Sequence, residues 1–176
     1  MSTVKWGILS TAGIARKQLI PAFGRATNAE VVAIASSSGI EKAKEVADKF
    51  SIEKAYGNYE SLLDDPAIDA VYIPLPNHLH KKWTIAAAKK GKHILCEKPA
   101  AVNTDEFQEM KSICMEHQVI FMEAFMYQFH PQHERARKII DSGEIGEVSY
   151  IRAAHSFYLL RGEKTPSSRN ESGIAH

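Results

Sequence analysis

Short apolar, β-branched runs alternate along the chain with longer stretches in which apolar residues recur at helical spacing. The short runs are Val4 to Leu9, Val31 to Ala35, Ala70 to Ile73, His93 to Cys96 and Val119 to Met122. They are mostly apolar from end to end, which predicts strands buried on both faces. Lys54 to Tyr56 reads as a further, minor strand. Amphipathic segments between successive strands predict consecutive βαβ units, and hence a parallel sheet covered by helices.

Local signals place several helix ends. Ile14, Leu19, Ile20 and Phe23 predict a helix after the first strand, bent at Pro21 because proline has no amide hydrogen to donate. Ser38-Gly39-Ile40-Glu41 and Asn103-Thr104-Asp105-Glu106 read as capping boxes, in which a side-chain oxygen takes the third helical amide and Glu reaches back. Past Met122 the rhythm changes. A helix over Gln132 to Asp141 is predicted to stop at Ser142-Gly143, and Glu147 to Leu159 reads as a strand of another sheet, with loose period-two alternation. The expected organisation is a doubly wound α/β domain over residues 1–122. A crossover helix and the first strand of a second domain follow over 123–176.

Composition narrows the class of partner. With 176 residues and 44% hydrophobic content the chain can bury one ordinary core. Its 22 Lys+Arg nearly cancel its 21 Asp+Glu, so neither a nucleic acid nor a membrane surface is expected as partner, and a small molecule is. Cys96 and Cys114 fit no Cys-x-x-Cys spacing, and no amino-terminal apolar stretch reads as a signal peptide or membrane span. The expected location is the reducing cytoplasm.

Chemistry is expected at the carboxyl ends of the strands, where ligands bind in open parallel sheets. The turn after the first strand reads Ser10-Thr11-Ala12-Gly13-Ile14, with Ala15 following. In a dinucleotide-binding fold, backbone amides at this place cradle the pyrophosphate on a helix N-terminus. Ser10 and Ala12 stand where glycines are usual, and Ala15 takes the third place of that pattern. Such small residues leave the phosphates accessible provided that their φ angles are negative. A tight turn that needs small residues for packing alone is the other reading.

The second strand ends in Ser36-Ser37-Ser38, without the acid that grips the ribose 2′-hydroxyl of NAD. Three hydroxyls with Lys42 and Lys44 nearby suit a 2′-phosphate, so NADP is favoured within NAD(P). Ser38 as a helix cap is the plainer alternative. The loops Pro74-Leu75-Pro76-Asn77-His78-Leu79-His80 and Glu97-Lys98-Pro99 follow two further strands. Asn77, His78, His80, Glu97 and Lys98 thus converge on the place for a nicotinamide ring. His78 and His80 lack a supporting Cys or carboxylate cluster, and no metal site is expected. Lys98, pinned before proline at a strand end, can hold its ammonium against a substrate oxygen.

The ordered set Trp6-Gly7-Ile8, Ala70-Val71-Tyr72-Ile73-Pro74, Pro76-Asn77-His78-Leu79-His80, Glu97-Lys98-Pro99 and Glu123-Ala124-Phe125-Met126-Tyr127 resembles the Gfo/Idh/MocA oxidoreductase family. The resemblance implies a Rossmann domain followed by an α+β domain with a large open-faced sheet. It further implies hydride transfer between NAD(P) and a sugar-like or cyclic alcohol. Lys98 matches the family's catalytic lysine, Glu97 would orient it, and Pro99 would follow a cis peptide. Pro76 and Asn77 match the segment over the nicotinamide ribose. Taken together, the expected cofactor contacts are Ser10, Thr11, Ala12, Gly13, Ile14, Ser36, Ser37, Pro74, Pro76, Asn77, His80, Glu97 and Lys98. Tyr127 and His130 match the crossover into the second domain and would line the substrate pocket.

The resemblance also implies a chain that stops short of most of the second sheet and of the acid–base residues that assist Lys98. Such a chain would bind cofactor yet be catalytically incomplete. Its last strand would have open edges, so a homo-oligomer formed through the second-domain sheet is expected. Two other readings stand beside this one. The first is a non-enzymatic nucleotide-binding or interaction module; the second is a Rossmann-like domain that uses no nicotinamide, resting on the poor glycine pattern.

Overall fold

The computed structural model describes residues 3–154 and 156. Six strands form its framework: β1 (Val4–Leu9), β2 (Ala29–Ala35), β3 (Lys54–Tyr56), β4 (Ala70–Ile73), β5 (His93–Cys96) and β6 (Phe121–Glu123). They pair in the order β3-β2-β1-β4-β5-β6, every neighbouring pair being parallel. The order reverses between β1 and β4, which opens a crevice at their carboxyl ends.

Five helices interleave with the strands: α1 (Ile20–Phe23), α2 (Ile40–Phe50), α3 (Tyr59–Leu63), α4 (Asn77–Lys89) and α5 (Thr104–Glu116). They cover both faces of the sheet. On one face Tyr59 and Leu62 of α3, Trp83 and Ala87 of α4 and Cys114 of α5 pack over Leu9, Val71, Ile73 and Ile94. On the other, Ala15, Ile20, Val46 and Ala47 pack over Ile8, Ile34 and Tyr72. Burial on both faces is why the strands read as unbroken apolar runs. Gly7 is where the first face comes closest: a Cβ there would lie 2.7 Å from Leu62 Cδ2.

The helix after β1 bends as Pro21 predicts, by a route the sequence does not show. Ala15–Leu19 forms a π-helical turn in which the Ile20 amide reaches back five residues to the Ala15 carbonyl, and α1 begins with Pro21 in its first turn. The wider turn takes up the register change where proline interrupts the ladder.

Three local expectations need correction. The last strand lies at Phe121–Glu123 rather than Val119 to Met122, because the Val119 amide bonds the Cys114 carbonyl and closes α5. Ser38 does not cap α2: the cap is Gly39, at φ +103°, with no side-chain bond. The Ser38 amide donates instead to Ser36 Oγ at 3.1 Å. At α5 the cap is Asn103, whose Oδ1 accepts from the Glu106 amide at 2.9 Å. Glu106, however, reaches the Val102 amide rather than that of Asn103.

The chain divides into two compact units, Met1–Ala124 and Phe125–His176. The first holds the whole sheet. In the second, a 3-10 turn (Met126–Phe129) precedes α6 (Pro131–Asp141). The run from Glu147, expected as a strand, forms no ladder over 147–154 or at 156. Alternation supplies a face but no partner for the backbone, and a strand needs both. The rest of that run lies outside the described residues, and among the described residues there is no second sheet.

Candidate functional site

The loops at the carboxyl ends of β1, β2, β4 and β5 carry the cofactor residues expected from sequence. After β1, Ser10 adopts φ +138°, against the negative value expected, while Ala12 is not among the positive-φ residues. Ser10 Oγ accepts from the Ala12 amide at 3.0 Å and so offsets part of the strain. Thr11, Ala12 and Gly13 remain partly accessible and Ile14 is exposed. A Cβ added to Gly13 would meet nothing within 4 Å. The first turn of the helix therefore opens onto free space, and its first amides have no carbonyl within the helix to bond.

At the end of β2 the three serines separate. Ser36 is buried, its amide bonded to the Tyr56 carbonyl and its hydroxyl holding the Ser38 amide, so it shapes the loop from inside. Ser37 is exposed and accepts the Tyr59 hydroxyl at 3.2 Å. It borders a cleft of about 350 Å³ with Asn58, Tyr59, Glu60, Leu79, Lys82 and Trp83, so one carboxylate shares the lining with one ammonium. Lys42 and Lys44, expected near a 2′-phosphate, pair with Glu45 at 2.7 Å and Glu41 at 3.4 Å on the surface of α2. The ammonium that borders the cleft is that of Lys82, 4.7 Å above the Trp83 ring.

The loops after β4 and β5 are tied together by buried groups. Pro74 and His80 lie inside the fold, whereas Pro76 is exposed and Asn77 half-buried at the start of α4. His80 was expected to touch the cofactor. Its ring is instead fully buried, with Nδ1 2.8 Å from the Pro99 carbonyl and Nε2 2.7 Å from the Leu75 carbonyl. It is a strut between two loops, because an imidazole on the first turn of α4 reaches both. Pro74 is likewise buried.

Lys98 is exposed, and the peptide to Pro99 is cis. Glu97 does not hold the Lys98 ammonium. One carboxylate oxygen accepts the Tyr72 hydroxyl at 2.6 Å and the other accepts the Lys98 main-chain amide at 3.3 Å. Burial, reinforced by the facing carboxylate, holds the Tyr72 phenol protonated far above its ordinary range. Beyond the proline, Glu123 Oε1 accepts the Ala100 amide at 2.8 Å. Main-chain bonds close the loop base, from the Glu97 amide to the Ile73 carbonyl and from the Ala124 amide to the Cys96 carbonyl. The segment 97–100 is thus fixed from β4, α4 and β6, and the exposed Lys98 takes part in none of the ion pairs found among the described residues.

The two residues expected in the substrate pocket belong to the second unit. Tyr127 is exposed in the 3-10 turn, with its ring 5.5 Å from that of Phe125 and 5.7 Å from that of His133. His130 caps α6, its Nδ1 accepting the Gln132 amide at 3.2 Å ahead of Pro131. Among the described residues no group of three His, Cys, Asp or Glu is placed to hold a metal ion, and no helix is long and apolar enough to cross a membrane.

Residues 4–125 match the model of an oxidoreductase family with an NAD-binding Rossmann fold, the Gfo/Idh/MocA family. The chain belongs to that family. Among curated relatives, D-xylose 1-dehydrogenase (NADP(+)) 2 of Haloferax volcanii is 48% identical over 89% of this chain and 47% of its own length. Trans-1,2-dihydrobenzene-1,2-diol dehydrogenase of Xenopus tropicalis is 40% identical over 85% of this chain and 45% of its own. Among solved structures, a 3-ketoreductase from Actinomadura kijaniata in complex with NADP superposes with a TM-score of 0.74. It is 36% identical, over 83% of this chain and 46% of that one. The chain therefore spans about half the length of the curated relatives it matches.

In this Gfo/Idh/MocA chain, Glu97-Lys98-Pro99 lies on a loop whose supports are far from it in sequence. Tyr72 and Glu123 stand within the motifs that mark the resemblance, but their roles do not show there. One signal was available for Tyr72. A phenol within the buried run Ala70–Ile73 must find a polar partner. Nothing comparable marks Lys82, an ordinary lysine on α4 until Ser37 and Tyr59 are brought opposite it.

Proposed function

We propose that the chain binds NADP(H) across the carboxyl ends of β1, β2, β4 and β5. In the whole protein, on this reading, it serves hydride transfer between the nicotinamide and a sugar-like or cyclic alcohol. The observation that carries the proposal is the exposed Lys98 side chain on a segment fixed from three elements. The residues fit the group. The open first turn at Gly13 suits a pyrophosphate, and the cleft beside Ser37 and Lys82 suits the adenosine 2′-phosphate end. Asn77, Pro76 and Lys98 are left for the nicotinamide end. The NADP-linked relatives support the choice of cofactor.

When bound, the cofactor supplies the hydride acceptor or donor. In the reducing direction Lys98 would hydrogen-bond the substrate carbonyl through its ammonium and give that oxygen its proton; in the oxidising direction the neutral amine would take the proton back from the hydroxyl. His80, Tyr72 and Glu97 make no contact with reacting atoms in this reading. Cys96 and Cys114 are both buried and unpaired, which suits the reducing cytoplasm. The experiment is a titration of the purified chain with NADPH and with NADH, followed by nicotinamide fluorescence. Tighter binding of NADPH is expected. Binding of neither would remove the cofactor reading.

A further inference from the structure

We propose that Tyr72 and Glu123 are positioning residues for Lys98, acting from the two strands that flank β5 on the main-chain amides of Lys98 and Ala100. The inference rests on the cofactor reading above. Lys98 follows β5 directly, where it is free of the sheet ladder and followed by a residue that cannot donate. Its backbone would be the least constrained part of the crevice without additional bonds. Three bonds supply the constraint from opposite sides. On the β4 side, the buried Tyr72 hydroxyl fixes one Glu97 oxygen at 2.6 Å, and the other oxygen takes the Lys98 amide at 3.3 Å. On the β6 side, Glu123 Oε1 takes the Ala100 amide at 2.8 Å. Tyr72 is 1% exposed, so its hydroxyl has no solvent alternative, and truncating it leaves Glu97 without its anchor.

Both supports spend charged or buried acceptors on main-chain amides, which is a costly way to stabilise a surface loop and an effective way to fix one side chain. The adenosine end of the crevice, near Ser37, involves none of these groups. Losing a support should therefore weaken contact at the nicotinamide end only.

The test measures binding of NADPH and of 2′,5′-ADP, which lacks the nicotinamide, to the wild-type chain and to Tyr72→Phe, Glu123→Leu and Glu123→Gln. Tyr72→Phe and Glu123→Leu are expected to weaken NADPH about tenfold, the loss of one charge-assisted bond. Affinity for 2′,5′-ADP should stay at the wild-type level. Glu123→Gln keeps an acceptor oxygen for the Ala100 amide and should retain NADPH affinity. In a Lys98→Ala background the effect of Glu123→Leu should disappear, because it acts through Lys98. Undiminished NADPH binding in Tyr72→Phe and Glu123→Leu, equal loss of both ligands, or additivity with Lys98→Ala would overturn the proposal. If the wild-type chain binds 2′,5′-ADP and NADPH not at all, the cofactor reading fails and the positioning role fails with it.

Discussion

Ser10 carries the most local and most quantitative consequence of the structure. Its φ of +138° lies where only glycine is at ease, and holding a side chain there costs about 1–3 kcal/mol. Its hydroxyl accepts the Ala12 amide at 3.0 Å, a bond worth about 0.5–1.5 kcal/mol. Ser10→Ala removes the bond and keeps the strain. Ser10→Gly removes both, and adds about 0.4–1 kcal/mol of conformational freedom to the unfolded chain. The lost bond is common to the two variants, so their difference is strain less entropy, about 0 to 2.6 kcal/mol with a midpoint of about 1.3 in favour of glycine. That midpoint corresponds to about 3–5 °C in Tm for a chain of this size. At an ordinary position the order is reversed, with alanine ahead by about 0.5–1 kcal/mol. Urea and thermal unfolding of both variants, followed by circular dichroism, decides between the two orders. An alanine variant as stable as the glycine variant would refute a positive φ at Ser10, and with it the strained turn.

Other outcomes follow from charge and burial. The Lys54 ammonium bonded to Asp65, aided by the Ala67 amide and the Tyr56 hydroxyl, lowers the Asp65 carboxyl from 3.8 to about 2. A carboxyl lowered in the folded state contributes stability that is present above pH 4 and lost as pH falls through 2, here about 2 kcal/mol. Urea midpoints should fall over that window in the wild type and lose most of that fall in Asp65→Asn; identical acid limbs would refute the assignment. Burial pushes the Cys96 thiol up to about 12, and burial raises Cys114 as well. Neither should react with a thiol reagent at pH 8 until the chain unfolds, and mass spectrometry of the native protein after labelling checks this. Lys82→Gln should weaken NADPH about two- to fivefold, an exposed charge pair's worth, with NADH unchanged. Equal effects on both dinucleotides would remove Lys82 from the phosphate site.

The site shows how sequence and tertiary structure divide their roles. The strands β1, β3, β4 and β5 lie where the apolar runs put them, and the placement of Lys98 at the end of β5 follows from the same runs. His80 and Ser36, polar residues on loops at the crevice, are both turned inward to hold backbone, a role that no local pattern in the chain announces. Lys42 and Lys44 show it again, because near neighbours on α2 offered them carboxylates at helical spacing.

What the sequence by itself determined is the doubly wound sheet, since burial on both faces imprints the central strands, β4 above all, as apolar runs. It also determined which loops meet at the crevice, since parallel strands place all their carboxyl ends on one edge. Only the tertiary structure decided how the Lys98 segment is held. Tyr72 lies 25 residues from Glu97, His80 lies 19 from Pro99, and Glu123 lies 23 from Ala100. No periodicity links residues at such separations. Their pairing depends on strand register and on where a side chain leaves the sheet, which is settled only when β4, β5 and β6 lie side by side.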